Sequence, residues 1–145
     1  MDDEVKDDIN HIVSSKSYYY STKEERNMID KVFAEDFALD WIDSWNNRDL
    51  ERILFHYTDD FEMSSPVIVR IAKEPSGLLK GKETIKAYWT EALKLMPDLR
   101  FEFISVLTGI DTVVIYYKGA KGRFAAEVFY FNRNGKIYKA IANYS

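Results

Sequence analysis

The stretch AAEVFYFNRNGKIYKA, residues 125–140, decides the fold. An apolar run, the turn Asn132-Arg133-Asn134-Gly135 and a second β-rich run read as a hairpin, because Asn-Gly supplies the positive φ that a tight turn needs. One acid interrupts the first run: Glu127, with Ala125, Ala126, Val128 and Phe129 around it. The hairpin closes a series of four strands, at about 99–107, 111–118, 122–132 and 136–144, with Asp111 and Asn134-Gly135 marking turns.

Upstream of the strands the pattern is helical. Ile29, Phe33, Phe37, Trp41 and Trp45 recur every four residues, flanked by Met28, Val32, Ala38 and Ile42. That is a broad apolar stripe on a long helix over about 22–46, with Thr22 and Glu25 in the spacing of a capping box. Asn46-Asn47-Arg48-Asp49 breaks it, and Asp49 can cap a short helix over about 50–56. DDFEMSSP, residues 59–66, reads as a strand that Pro66 ends. The β-branched residues 67–72 read as another strand, and EPSGLLKG, residues 74–81, as a loop. KETIKAYWTEALKL, residues 82–95, makes a third helix with Ile85, Tyr88, Trp89, Ala92 and Leu93 on its apolar face, stopped by Pro97. Helices followed by a run of antiparallel strands is an α+β order. A strongly curved sheet would wrap around the helices and leave a cavity between them.

Bulk composition narrows the function. The 145 residues are 46% hydrophobic and 15% aromatic, enough for one domain with a sizeable core. Cysteine is absent, which excludes a disulfide framework and a thiolate nucleophile or ligand. Two histidines, His11 and His56, argue against an all-histidine metal cage. No apolar run approaches the roughly 18 residues that span a membrane, and the acidic start does not read as a signal peptide, so the expected location is cytoplasmic. Residues 1–30 hold eight acids and four bases, while residues 31–145 hold sixteen of each. The body therefore lacks the positive field that sequence-independent nucleic-acid binding needs. Residues 1–21 read as an acidic arm and residues 22–145 as one domain.

Three segments, FALDWIDSWNNRDLERILFHYTDDFEMSSP (37–66), GKETIKAYWTEAL (81–93) and AAEVFYFNRNGKI (125–137), together resemble the SnoaL-like branch of the nuclear transport factor 2 superfamily. The resemblance covers about residues 33–145 and rests on the order and spacing of these segments. It implies a cone: a curved, mostly antiparallel sheet wrapped on three helices, often a homodimer through the sheet. Members include isomerases, dehydratases, cyclases and pure binding modules, so the fold alone does not give the function. Compared with the ketosteroid isomerases, the position of the base before the strand-ending proline is Ser65. The oxyanion tyrosine corresponds to Trp41, the second pocket tyrosine to Tyr57, the third to Trp89, and the protonated oxyanion-hole acid to Glu127. Serine does not abstract a carbon-bound proton without an activating partner, so the resemblance stops short of that mechanism.

Glu127 is the leading candidate for catalysis. In a cavity, desolvation would raise its pKa and make it a neutral donor, an acid or a base. Its alternative is an ion pair with Arg123, four residues away on the same strand face. Tyr57 is the candidate hydrogen-bond donor beside it. Trp41, Ser65, Trp89, Tyr88, Met63, Phe129 and Asn143 make up the candidate ligand-binding set, an aromatic wall with polar tips that suits a flat apolar molecule. Plain core packing is the competing reading for Tyr88 and for Trp45. Asp59 and Asp60 read as the end of a loop, Asp40 and Asp43 as a solvated helix face, and His56 as a surface histidine. The expected function is binding of a small apolar or aromatic molecule, with no cofactor and no metal. Catalysis as an isomerase, dehydratase or cyclase through Glu127 is one form of it; a non-catalytic binding or protein-interaction module is the other.

Overall fold

The computed structural model describes residues 28–145. The acidic arm and the Thr22–Glu25 cap lie outside them. Helix α1 is Lys31–Asn46, and the Asp30 side chain caps it by accepting from the Val32 N–H at 3.0 Å. The helix expected from residue 22 therefore does not run unbroken through 28–30: Asp30 is extended, and Ile29 is buried ahead of the helix. Ala34, Phe37, Ala38, Trp41, Ile42 and Trp45 form the buried face, the three-and-four spacing of the apolar stripe. Arg48, at φ 57°, reverses the chain. Helix α2 (Leu50–Leu54) follows, capped as read by Asp49, which accepts from the Arg52 N–H at 3.1 Å.

Strand β1 is Tyr57–Ser64. Residues 67–72 are not the expected strand: Pro66–Ile71 form helix α3. The Ser65 hydroxyl accepts from the Val67 N–H at 3.1 Å and Pro66 takes the first helical position, where its fixed φ helps and its missing N–H costs nothing. This start signal outweighs the β preference of Val67, Ile68 and Val69. The expected loop at 74–81 also contains a short strand, β2 (Leu78–Lys80), paired antiparallel with β1. Helix α4 (Lys82–Leu95) has the bounds read from the sequence. Strands β3 (Glu102–Thr108), β4 (Thr112–Lys118), β5 (Phe124–Phe131) and β6 (Ile137–Tyr144) lie within the expected runs to within a few residues.

The sheet order is β2-β1-β6-β5-β4-β3, antiparallel throughout except for the β1–β6 pair. Register shifts interrupt β1 between Tyr57 and Glu62 and β3 between Phe103 and Ser105. Such bulges bend a strand and increase its twist, which is how this open sheet curls over α1 and α4. The fold is the expected α+β cone.

The core is rich in aromatic rings. The ring of Phe37 meets Phe129 and Phe131 edge-on at 5.0 and 5.1 Å, and Trp41 meets Phe129 at 5.3 Å. Each fully buried ring contributes about 1.5–3 kcal/mol, with about 0.5–1.5 more from the edge-to-face geometry. Two polar clamps tie the helices to the sheet. Asn46 donates to the Phe101 carbonyl at 2.9 Å and accepts from the Phe101 N–H at 2.7 Å. The Arg48 guanidinium donates to the Leu93, Met96 and Leu99 carbonyls at 3.3–3.4 Å, and to that of Pro97. A cation there satisfies carbonyls that a helix C-terminus leaves open.

Candidate functional site

Along β5 the residues Ala125, Glu127, Phe129 and Phe131 alternate inward and are buried. Glu127 lies opposite Ile115 on β4 and Ala142 on β6. Two of its inward neighbours, Ala125 and Ala142, are short, while Ile115 and the Tyr117 phenol flank it from β4. Glu127 lines a cavity of about 500 Å³ between the sheet and helices α1 and α4. That volume is within the range that takes small organic molecules. Aromatic rings contribute much of the apolar lining, among them Trp41, Trp45, Trp89, Phe101 and Tyr117.

Glu127 is only 3% exposed. The Tyr117 hydroxyl donates to its Oε1 at 3.4 Å, a long bond, and Oε2 has no partner. Burial pushes the carboxyl up to about 8, and the Tyr117 hydrogen bond opposes this only in part. At neutral pH the group is therefore mostly protonated and has an O–H to donate. The Tyr117 phenol is itself held well above its ordinary range, first by burial and then by the charge of Glu127. Among the described residues, the other buried polar side-chain atom without a partner is Nε1 of Trp45, a residue that also lines the cavity. A hydrophobic hollow thus contains two unsatisfied groups able to donate to a ligand oxygen.

The candidate residues are placed as follows. Trp41, Met63, Tyr88, Trp89 and Glu127 line this cavity together, and Trp45, read as plain core, lines it too. Tyr57 is 2% exposed and accepts a hydrogen bond from Trp41 Nε1 at 3.0 Å, so its hydroxyl serves the wall from behind. The hydroxyl that reaches Glu127 belongs to Tyr117. Ser65 caps α3 and interacts with the phenols of Tyr88 and Tyr144. Phe129, expected in the ligand-binding set, is fully buried in the Phe37–Trp41 core and does not line the cavity. Asn143 is on the outer sheet face, exposed, donating to the Ala126 carbonyl at 3.1 Å. Arg123 does not pair with Glu127; it donates to the Ser145 carbonyl.

Sequence reasoning missed Phe101, Tyr117 and Tyr144 in the lining. Period-two alternation carried the signal for Tyr117, whose cross-strand partner is Ala125. Phe101 had none, because it precedes β3 and is set by the Asn46 clamp. Elsewhere, Asp40 and Asp43 hold Arg52, with Asp43 at 2.8 Å. His56 is half-buried rather than on the surface: its Nε2 is 2.7 Å from Asp40 Oδ2. Burial lowers its pKa despite that carboxylate. Asp59 and Asp60 are within β1, both exposed, not in a loop. Among the described residues no cluster of three or more His, Cys, Asp or Glu could hold a metal, and no helix is long and apolar enough to cross a membrane.

A curled sheet, a helical cover and a buried acid between them define an α+β domain with an aromatic cluster at its centre. Residues 38–140 match the SnoaL-like domain, and the chain belongs to that family. A solved SnoaL-like protein of unknown function from Burkholderia thailandensis is 56% identical, with a TM-score of 0.79 over 81% of this chain and 98% of that one. More distant structures share the fold alone. TerC, crystallised with polyporic acid, is 16% identical at a TM-score of 0.64 over 77% of this chain and 91% of its own. A candidate polyketide cyclase from Sinorhizobium meliloti is 13% identical at 0.62, over 74% and 94%. No curated protein resembles the chain closely enough to count as a match.

Proposed function

We propose that the cavity binds a flat, mostly apolar molecule through an oxygen of that molecule, a carbonyl or phenol, which accepts from the neutral Glu127 carboxyl. The observation that carries this reading is the buried, unpartnered Oε2 of Glu127 at the cavity wall. Leaving such a group unsatisfied costs free energy that a ligand oxygen would recover. The same donor polarises a carbonyl, so an isomerase, dehydratase or cyclase step without a cofactor is within its chemistry. The Sinorhizobium meliloti neighbour and the TerC structure co-crystallised with polyporic acid support a small-molecule role for the fold.

The test is calorimetry with 2-acetylnaphthalene, a neutral ketone. Affinity in the wild type should fall as pH rises through about 8, where Glu127 ionises. In Glu127→Gln, which keeps a donor, it should stay flat. A wild-type affinity indifferent to pH would remove Glu127 from the site.

We further propose that two copies pair through the outer sheet face. Leu107, Val114, Val128 and Ile141 stand in register across β3, β4, β5 and β6 on the side away from the helices. Leu107 is 55% exposed, and Tyr116 and Phe124 add partly exposed rings to the same face. A continuous apolar row of this kind marks an interaction surface.

A further inference from the structure

The charge in the cavity is arranged unevenly. Its lining contains three cations, Arg70 of α3 and Lys121 and Arg123 from the turn before β5, against the single acid Glu127. All three cations are exposed, so they stand at the mouth, whereas Glu127 is inside. Among the described residues, the side chains of Arg70 and Lys121 make no hydrogen bond or ion pair. Arg70 nevertheless acts electrostatically on the phenols of Tyr88 and Tyr144, and Arg123 on that of Tyr144, which places these charges around one opening. Lys121 lines that opening from a left-handed backbone, φ 57° and ψ 26°, a conformation few non-glycine residues hold without a reason in the surrounding structure.

A structural role would pair these cations with the acids that are plentiful elsewhere in the chain. Arg123 is engaged by the Ser145 carbonyl, but Arg70 and Lys121 face an apolar hollow whose inner acid is mostly neutral. Such a rim repels cationic ligands and attracts an anion, and guanidinium groups recognise a carboxylate with two parallel hydrogen bonds. We propose that the pocket selects an apolar or aromatic carboxylic acid, its carboxylate seated against Arg70 and Lys121 and its far end reaching Glu127. The inference rests on the cavity reading above and narrows the class of ligand.

The experiment compares 6-acetyl-2-naphthoate with 6-acetyl-2-naphthamide by calorimetry, two molecules alike in shape and differing in charge. The carboxylate should bind at least tenfold more tightly at low ionic strength, and the gap should shrink in high salt, as exposed charges are screened. The double variant Arg70→Gln/Lys121→Gln, altered only at exposed positions, should lose the preference while binding the amide as the wild type does. Equal affinities in the wild type, or a preference that survives in the double variant, would overturn the carboxylate assignment and leave the cavity reading intact. Failure of both molecules to bind would overturn the two together.

Discussion

Among the described residues, the Tyr117 hydroxyl is the one hydrogen-bond partner of the Glu127 carboxyl, at 3.4 Å from Oε1, while Oε2 is buried without one. One long bond does not replace the hydration that a carboxylate loses on burial, which is why the group stays protonated to about pH 8. Stability should carry this signature. The unfolded carboxyl ionises near 4.5 and the folded one near 8, so between these values the unfolded state binds fewer protons. The contribution of the neutral group is fully present below about 4.5 and is lost as pH rises through about 8. The loss should be on the order of a few kcal/mol. Urea denaturation of wild type and Glu127→Gln should give similar stabilities at pH 4 and a more stable variant at pH 9. A gap that does not change with pH would mean that the carboxyl is solvated.

The resemblance to the ketosteroid isomerases sets Ser65 at the position of their base, yet its hydroxyl is committed to the Val67 N–H at 3.1 Å. Ser65→Ala should therefore cost about 1 kcal/mol through the lost cap, and Ser65→Asn should recover most of it. Denaturation midpoints of the two variants check this. Equal losses in both would show that the hydroxyl matters through Tyr88 and Tyr144 instead of the helix.

Much of this architecture was legible in the sequence because several signals agreed. The Asn134-Gly135 turn, the alternation of β5 and the Asp49 cap each pointed to the element that forms. Ser65-Pro66 was misread because β-branched residues 67–69 dominated a stretch too short for a helical period to show. The site was legible in part for a similar reason. Alternation on β5 puts Glu127 and Phe129 on one face, but only the curvature of the sheet decides which of them meets space and which meets Phe37. Curvature comes from bulges such as that between Tyr57 and Glu62, and a register shift leaves no residue-level mark in the sequence.

Phe129 provides the contrast that tests this division. It is fully buried between Phe37 and Trp41 and outside the cavity lining. Phe129→Leu should lower stability by about 1–3 kcal/mol, and Phe129→Ala by about 3–5, through the lost ring and the void left behind. Neither should change the affinity of the folded protein for 2-acetylnaphthalene more than about twofold. A Phe129→Leu variant that folds well but binds tenfold more weakly would move the ring from the core to the ligand.

The outer sheet face makes a separate prediction, since it shares no side chain with the cavity. Val128 lies at the centre of the apolar row, between Val114 and Ile141 and on the opposite face from Glu127. In a symmetric pair it would meet the partner near the two-fold axis, where one substitution places two charges together. Val128→Arg should therefore convert a dimer into a monomer, read by light scattering on a sizing column. The monomer should keep its affinity for 2-acetylnaphthalene, because the strand presents its other face to the pocket. If the wild type is already monomeric at tens of micromolar, the row is not a homodimer interface. If the variant stays dimeric, the subunits meet elsewhere.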